Sequence, residues 1–300
     1  MKKYIRNVII ILIILVIIAI IAVLNINRSN KLNSNDGITK IVTSFYPMYI
    51  IAKNITEGAS NIELENMADV NVGCLHDYTL TTEDMKKVEN ADIFIVNGLG
   101  MESFIDKVLD SNENMNIIDS STNIQDLISN EHETNAHIWT SIDNYIKQVE
   151  NISEGLQKLD SENADIYRNN TDTYISSLEE LRDEYLKNLD KLKGVKAVSL
   201  NEAFEYLGQE LQMKITTIET DHEESTMSAE MLKNTIDKMK NENIKIIIID
   251  INDNETNAQT IANETGAKIY KLNSGLTGNL DKDAYINAVK YNMQILEEIN

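Results

Sequence analysis

ENADIYRNNTDTYISSLEELRDEYLKNLDKLK, residues 162–193, decides how the rest of the chain is read. Tyr167, Ile175, Leu178, Leu181, Tyr185, Leu189 and Leu192 recur along it at helical spacing, so one face is apolar. Asp160 and Ser161 stand where a helix is capped at its start, and Gly194 where one ends. A single helix over this stretch would be ~48 Å long at 1.5 Å per residue, more than either flanking region needs for its own packing. It suits a rigid strut between two lobes. The alternative is a separate bundle of two shorter antiparallel helices, built with the helical pattern IDNYIKQVENISEGLQKL at 142–159.

Working outward, both flanks show the same rhythm. Before the strut, KIVTSF, PMYIIAKNITEG, IELENMADV, LTTEDMKKVENA, DIFIVNG, MESFIDKVLD and NIIDSS alternate between strand-like and helix-like patterns. After it come KAVSL, AFEYLGQEL, MKITTIE, SAEMLKNTIDKMKN, IKIIIIDI, NETNAQTIANETG, AKIYKLN and DKDAYINAVKYNMQILEEIN. The almost wholly apolar IKIIIID reads as a strand covered on both faces, as in a parallel sheet. The expected class is α/β: two parallel-sheet lobes over 38–160 and 195–300, joined by a long rigid helix within 161–194, and preceded by an N-terminal membrane anchor helix. No repeat of solenoid length is present.

That anchor is Val8–Leu24, VIIILIILVIIAIIAVL, 17 apolar residues that as a helix extend about 25 Å against a hydrocarbon core of ~30 Å. Lys2, Lys3 and Arg6 precede it, which holds the N-terminus in the cytoplasm and sends the remainder outward. An uncleaved signal anchor over 1–27 and a solvated tether over 28–37 are expected; a cleaved signal peptide is the other reading. Six of the 27 basic residues but one of the 48 acidic ones fall in the first 40 positions, so the exported part is still more acidic than the whole chain at −21. Such a charge repels nucleic acid and anionic lipid and concentrates cations, although it also serves solubility. A single cysteine excludes intrachain disulfides, Cys-based zinc knuckles and iron–sulfur sites, so any metal is expected to use histidine, carboxylate or water.

There are four histidines. His76, in GCLHDYTLT, follows a strand pattern and precedes a helix starting near Thr81 or Thr82; His137, in TNAHIWTS, precedes a helix starting near Ser141. Both fall where an open parallel sheet leaves a ligand crevice at its strand ends. The ordered string LHDYTLTTEDMKKVENADIFIVNGLGMESF, NAHIWTS, the long helix, AFEYL and NETGAKIYKLN resembles the zinc and manganese receptors of ABC transporters, the TroA-like solute-binding class with a helical backbone, over nearly all of 38–300. The resemblance implies two four-stranded α/β lobes, metal ligation by His76 and His137, Zn2+ or alternatively Mn2+ as the transported ligand, and an integral-membrane ABC permease with a cytoplasmic ATPase as partner. A monomer is expected, and the N-terminal segment places it at the cell membrane with its folded domain on the extracytoplasmic side.

In the second lobe the chain departs from that pattern: Asn201 and Asn273 stand where the family carries His or Glu and Asp. An amide is a poor zinc or manganese donor beside imidazole or carboxylate. Three residues could compensate. Asp250 ends the IKIIIID strand, which in the family's strand order lies between those ending at Asn201 and Asn273. Glu202 is one residue, about 100° of helix, from the family position. His222, in TDHEEST, brings Asp221, Glu223 and Glu224 to the same edge. Each also reads as solvated surface or as a hydrogen-bond partner of a ligand histidine. Two imidazoles with carboxylate oxygens would suit zinc.

His132 lies in the acidic loop SNEHETNAH and could gather metal loosely, or be plain surface. Cys74 invites a thiol-ligand or nucleophile reading; a lone cysteine is otherwise a small buried hydrophobe, and it falls outside the expected ligand set. HExxH, GxSxG, Walker A and GxGxxG are all absent from the sequence, so an enzyme reading has only the loose histidine and carboxylate set to draw on; a metal hydrolase, which would keep an open position for activated water, is the weaker reading, and no enzyme is expected. The rival to a metal receptor is an exported interaction or adhesion protein that kept the fold and lost the metal.

Overall fold

The computed structural model describes residues 37–75, 78–104, 108, 115–129, 133–218 and 227–299. The expected anchor at Val8–Leu24 lies outside the described residues, and no described helix is long and apolar enough to cross a membrane.

The first sheet is parallel throughout. It contains β1 (Thr39–Thr43), β2 (Ile62–Asn66), β3 (Ile93–Val96) and β4 (Asn116–Asp119) in the order β2-β1-β3-β4, with α1 (Tyr46–Thr56) and α2 (Thr82–Glu89) among its connections. Central β3 is IFIV and wholly buried, whereas edge β2 exposes Glu63 and Glu65, charges that discourage pairing with another strand. Thr81 and Asp84 close a reciprocal capping box at the start of α2, fixing the loop that follows the described part of the His76 segment.

Two antiparallel helices follow, α3 (Ile142–Leu159) and α4 (Ala164–Leu189). At 26 residues α4 is ~39 Å long, and a 3-10 turn over Asp190–Leu192 completes the expected stretch before Gly194 at φ +78°. Tyr167, Tyr174, Leu178, Leu181, Tyr185 and Leu189 are buried, but Ile175 is only partly so. The start differs from expectation: Asn163 is the capping residue, while Asp160 accepts from Tyr167 Oη at 2.6 Å and Asn163 Nδ2 at 2.8 Å. Asp160 is the C-cap residue of α3, and its carboxylate serves the buried Tyr167 phenol across the corner between the two helices.

The second sheet repeats the first: β5 (Lys196–Ser199), β6 (Lys214–Thr217), β7 (Ile246–Asp250) and β8 (Lys268–Leu272), parallel in the order β6-β5-β7-β8. Its helices are α5 (Glu205–Glu210), α6 (Ala229–Asn241), α7 (Thr256–Thr265) and α8 (Ala284–Glu297). All of β7 is buried, and it lies between β5 and β8 as the strand order of the resemblance required. Helix α4 packs against α1 and α3 on one side and α8 on the other, so a single apolar cluster runs from Ile41 through Leu178 to Leu272. The separate-bundle alternative is thereby replaced by a helix seated on both lobes.

Candidate metal centre

Each sheet reverses strand order at its middle, between β1 and β3 and between β5 and β7, and the carboxyl ends there form the natural crevice. Beyond the first sheet, the segment after β4 carries His137 into a buried position, 2% exposed, at the head of a 3-10 turn over Ile138–Thr140. A buried polar network fastens this segment. Glu102 accepts from Ser44 Oγ and Asn97 N, both at 2.8 Å, and from Gly98 N at 3.1 Å. Asn97 Nδ2 then donates to the carbonyl of Ala136 at 2.9 Å, immediately before the histidine. Burial lifts the Glu102 carboxyl to about 7, the three donors opposing it in part. Gly98 is required by space: at φ +85°, a Cβ there would lie 2.2 Å from Asp119 Oδ1.

Asn135 links the two lobes at this point. Its Oδ1 accepts from His137 N at 2.9 Å and lies 3.0 Å from His137 Nδ1; its Nδ2 donates to the Glu202 carbonyl at 3.0 Å and to Glu205 Oε2 at 2.8 Å. Those last two partners can only accept, which fixes the orientation of the amide. The oxygen facing Nδ1 must therefore receive a proton from it. His137 accordingly carries its hydrogen on Nδ1, and Nε2 is the lone-pair nitrogen suited to a metal. Nε2 faces Cys74 Sγ at 3.6 Å.

Glu202, in a 3-10 turn over Glu202–Phe204 that Asn201 caps through Oδ1 to Ala203 N at 3.0 Å, brings Oε1 to 3.6 Å from His137 Nδ1. The first lobe's histidine and the second lobe's carboxylate thus meet, with Glu202 on the proton-bearing side of the ring. Ligation beside Nε2 would require the rotation that its one-residue offset implies. Asp250, 4% exposed, reaches the same edge, but Oδ1 accepts from Asn252 N and Oδ2 from Ser274 N, both at 2.8 Å. Asn273 Oδ1 accepts from Gly275 N at 2.8 Å, and Asn201 Nδ2 donates to Asp253 Oδ2 at 3.2 Å. Both amides are thus engaged: Asn273 in a local turn, and Asn201 in its own turn onto Ala203 N and in a bond across to the loop after β7. His76, His132 and His222 lie outside the described residues. Among the described residues, no group of three His, Cys, Asp or Glu side chains is gathered to hold a metal.

The walls around the site are held by long-range bonds. Trp139 Nε1 donates to the Ser274 carbonyl at 2.8 Å, Tyr285 Oη to the Trp139 carbonyl at 3.0 Å, and Tyr206 Oη to the Asn135 carbonyl at 2.8 Å. The rings of Tyr145 and Tyr285 stack at 3.5 Å. Glu210 reaches from the end of α5 to the start of α3, where Oε1 accepts from Ser141 Oγ and Asp143 N at 3.0 Å, and burial lifts its carboxyl to about 7.

Neither Asn135 nor Cys74 belongs to the ligand set that the sequence suggests. Asn135 lies two residues before the histidine in NAHIWTS, where an Asx turn onto His137 N was a readable signal. Cys74 offered no signal beyond its nearness to His76.

The family model described as "Zinc-uptake complex component A periplasmic" (ZnuA) matches residues 41–299. Relatives include the high-affinity zinc uptake system protein ZnuA of Bacillus subtilis, 27% identical over 86% of each chain. Another is the manganese-binding lipoprotein MntA of Halalkalibacterium halodurans, 26% identical over 85% of this chain and 86% of the relative. Among solved structures, the SBP FpvC of P. aeruginosa in complex with Ni2+ superposes with a TM-score of 0.78 at 27% identity, covering 87% of this chain and 96% of that one. Zn(II)-bound AdcA of Streptococcus pneumoniae gives 0.75 at 26% identity, covering 87% of this chain; the match spans 57% of AdcA, about half of that longer protein. The chain belongs to the ZnuA family of zinc- and manganese-binding solute-binding proteins of ABC transporters.

Proposed function

We propose that this protein captures a divalent transition metal in the cleft between its lobes, zinc in preference to manganese, and presents it to an integral-membrane permease driven by a cytoplasmic ATPase. The observation that carries this reading is the state of His137. It is buried, its Nδ1 hydrogen is committed to Asn135, and a carboxylate from the other lobe lies 3.6 Å from Nδ1. That arrangement fixes the tautomer and raises the basicity of Nε2, as ligating histidines generally require. His137 and His76 are the imidazole ligands in this reading. Glu202 either polarises the ring from the Nδ1 side or turns in to ligate, and Asp250 holds the Asn252 and Ser274 turns that border the cleft.

The protein acts as a receptor rather than an enzyme, as a monomer, held at the extracytoplasmic face by Val8–Leu24. Helix α4, seated on both lobes, limits hinge opening, so release proceeds by small loop and lobe shifts. The test is competitive titration of the full-length chain with Zn2+ and Mn2+. One ion per chain and tighter binding of zinc are expected. Absence of binding by either ion would instead favour an interaction protein that kept the fold alone.

A further inference from the structure

The thiol of Cys74 and the thioether of Met101 place soft donors beside the lone-pair nitrogen of His137. Cys74 Sγ is 3.6 Å from His137 Nε2 and 3.7 Å from Met101 Sδ, with Met101 fully buried and Cys74 half-buried. Zinc–sulfur and zinc–nitrogen bonds of about 2.3 Å and 2.0–2.1 Å, at the tetrahedral angle, set their donor atoms about 3.5–3.6 Å apart. The observed separation, which in the metal-free chain is that of an S–H···Nε2 hydrogen bond, equals the spacing of two ligands on one tetrahedral ion, so an ion could replace the thiol proton without moving either donor.

From this geometry we infer that Cys74 is itself a metal ligand, its thiolate binding the same ion as His137 Nε2 and making the site selective for thiophilic ions over manganese. The inference rests on the metal-receptor reading and specifies which ions that site takes. On binding, the S–H bond breaks, the sulfur electron pair goes to the metal, and the proton leaves to solvent, so the step is balanced without any oxidant. The thiolate also supplies a negative donor where the second lobe offers the amides of Asn201 and Asn273 and an Asp250 whose two oxygens already accept backbone N–H bonds. Thiolate favours zinc and cadmium, whereas manganese prefers carboxylate, carbonyl and water. Met101, packed behind the thiol, fixes the position of Sγ.

The test uses the full-length chain loaded with Co2+, together with Cys74→Ser and Cys74→Ala variants titrated with Co2+, Zn2+ and Mn2+. The unmodified chain is expected to show the intense near-ultraviolet charge-transfer absorption of a thiolate–cobalt bond. In Cys74→Ser that absorption disappears while cobalt still binds, and the preference for zinc over manganese falls about tenfold or more in both variants. Cobalt bound to the unmodified chain without the absorption would overturn the inference while leaving the receptor reading intact. An unchanged zinc-to-manganese preference in folded variants would overturn it equally. A chain that takes up none of the three ions would overturn both. Because the absorption is read on the unmodified chain, the thiolate–cobalt bond is detected or excluded even if a variant fails to fold.

Discussion

Replacing Asn135 with alanine removes four interactions: the acceptor for His137 N and for Nδ1, and the donor to the Glu202 carbonyl and to Glu205 Oε2. Each hydrogen bond contributes about 0.5–1.5 kcal/mol net, and a buried group left unpaired costs about 1–3 kcal/mol. With water replacing some partners, a stability loss of about 2–4 kcal/mol is expected. The effect on metal should exceed what that loss alone predicts, because the imidazole loses its fixed tautomer and the Glu202 turn loses its tie to the first lobe. Removing such an orienting partner typically weakens metal binding 10–100-fold, or about 1.4–2.7 kcal/mol. Asn135→Asp separates the two halves of the effect. It keeps the acceptor for His137 but places a carboxylate against Glu205, so ring orientation should survive while the interlobe tie is lost. Zinc affinity by chelator competition, paired with denaturant melts, reads both quantities. A folded Asn135→Ala chain whose zinc affinity stays within about threefold of the parent would refute the positioning role of this side chain.

Further expectations concern the supports around the site. Burial raises both Glu102 and Glu210 from 4.5 to about 7, so between those values the folded chain holds protons that the unfolded chain releases. Stability contributed by these groups is present below about pH 4.5 and is lost as pH rises towards 7. Glu210→Gln keeps the acceptor for Ser141 and Asp143 and should flatten the decline in melting temperature between pH 5 and 8; an unchanged slope would contradict the assignment. Gly98→Ala combines a positive φ with a Cβ 2.2 Å from Asp119 Oδ1 and should cost at least about 1–3 kcal/mol in denaturant unfolding, whereas a neutral result would show that the turn relaxes freely. Trp139→Phe leaves the Ser274 carbonyl without its 2.8 Å donor and should destabilise by about 1–3 kcal/mol; a change below ~0.5 kcal/mol would mean water replaces the indole.

Much of the architecture is written in local patterns. IKIIIID at 244–250 is apolar at almost every position because neighbours lie on both sides of β7 and helices on both faces; the place of Asp250 between β5 and β8 came instead from the strand order of the resembled family. The strut was legible because its apolar residues keep one face over seven turns. Its start was not, because the fate of Asp160 depends on where the Tyr167 phenol finds an acceptor, which capping preference does not encode. The site divides in the same way. His137 was a candidate from its place before a helix at a sheet end and from the resembled motif, and Glu202 only from its one-residue offset from a family position. Cys74 meets His137 across 63 residues, and Asn135 meets Glu205 across 70; such contacts depend on how the loops fold back over the sheet ends, which no local periodicity records. Glu102 was similarly hidden, since its partners come from the ends of two different strands.

An anomalous-difference map of the full-length chain crystallised with zinc, recorded at the zinc absorption edge, tests the central claim most directly. One peak within about 2.0–2.1 Å of His137 Nε2, between the two lobes, is predicted. No peak, or one confined to surface carboxylates away from His137, would contradict it.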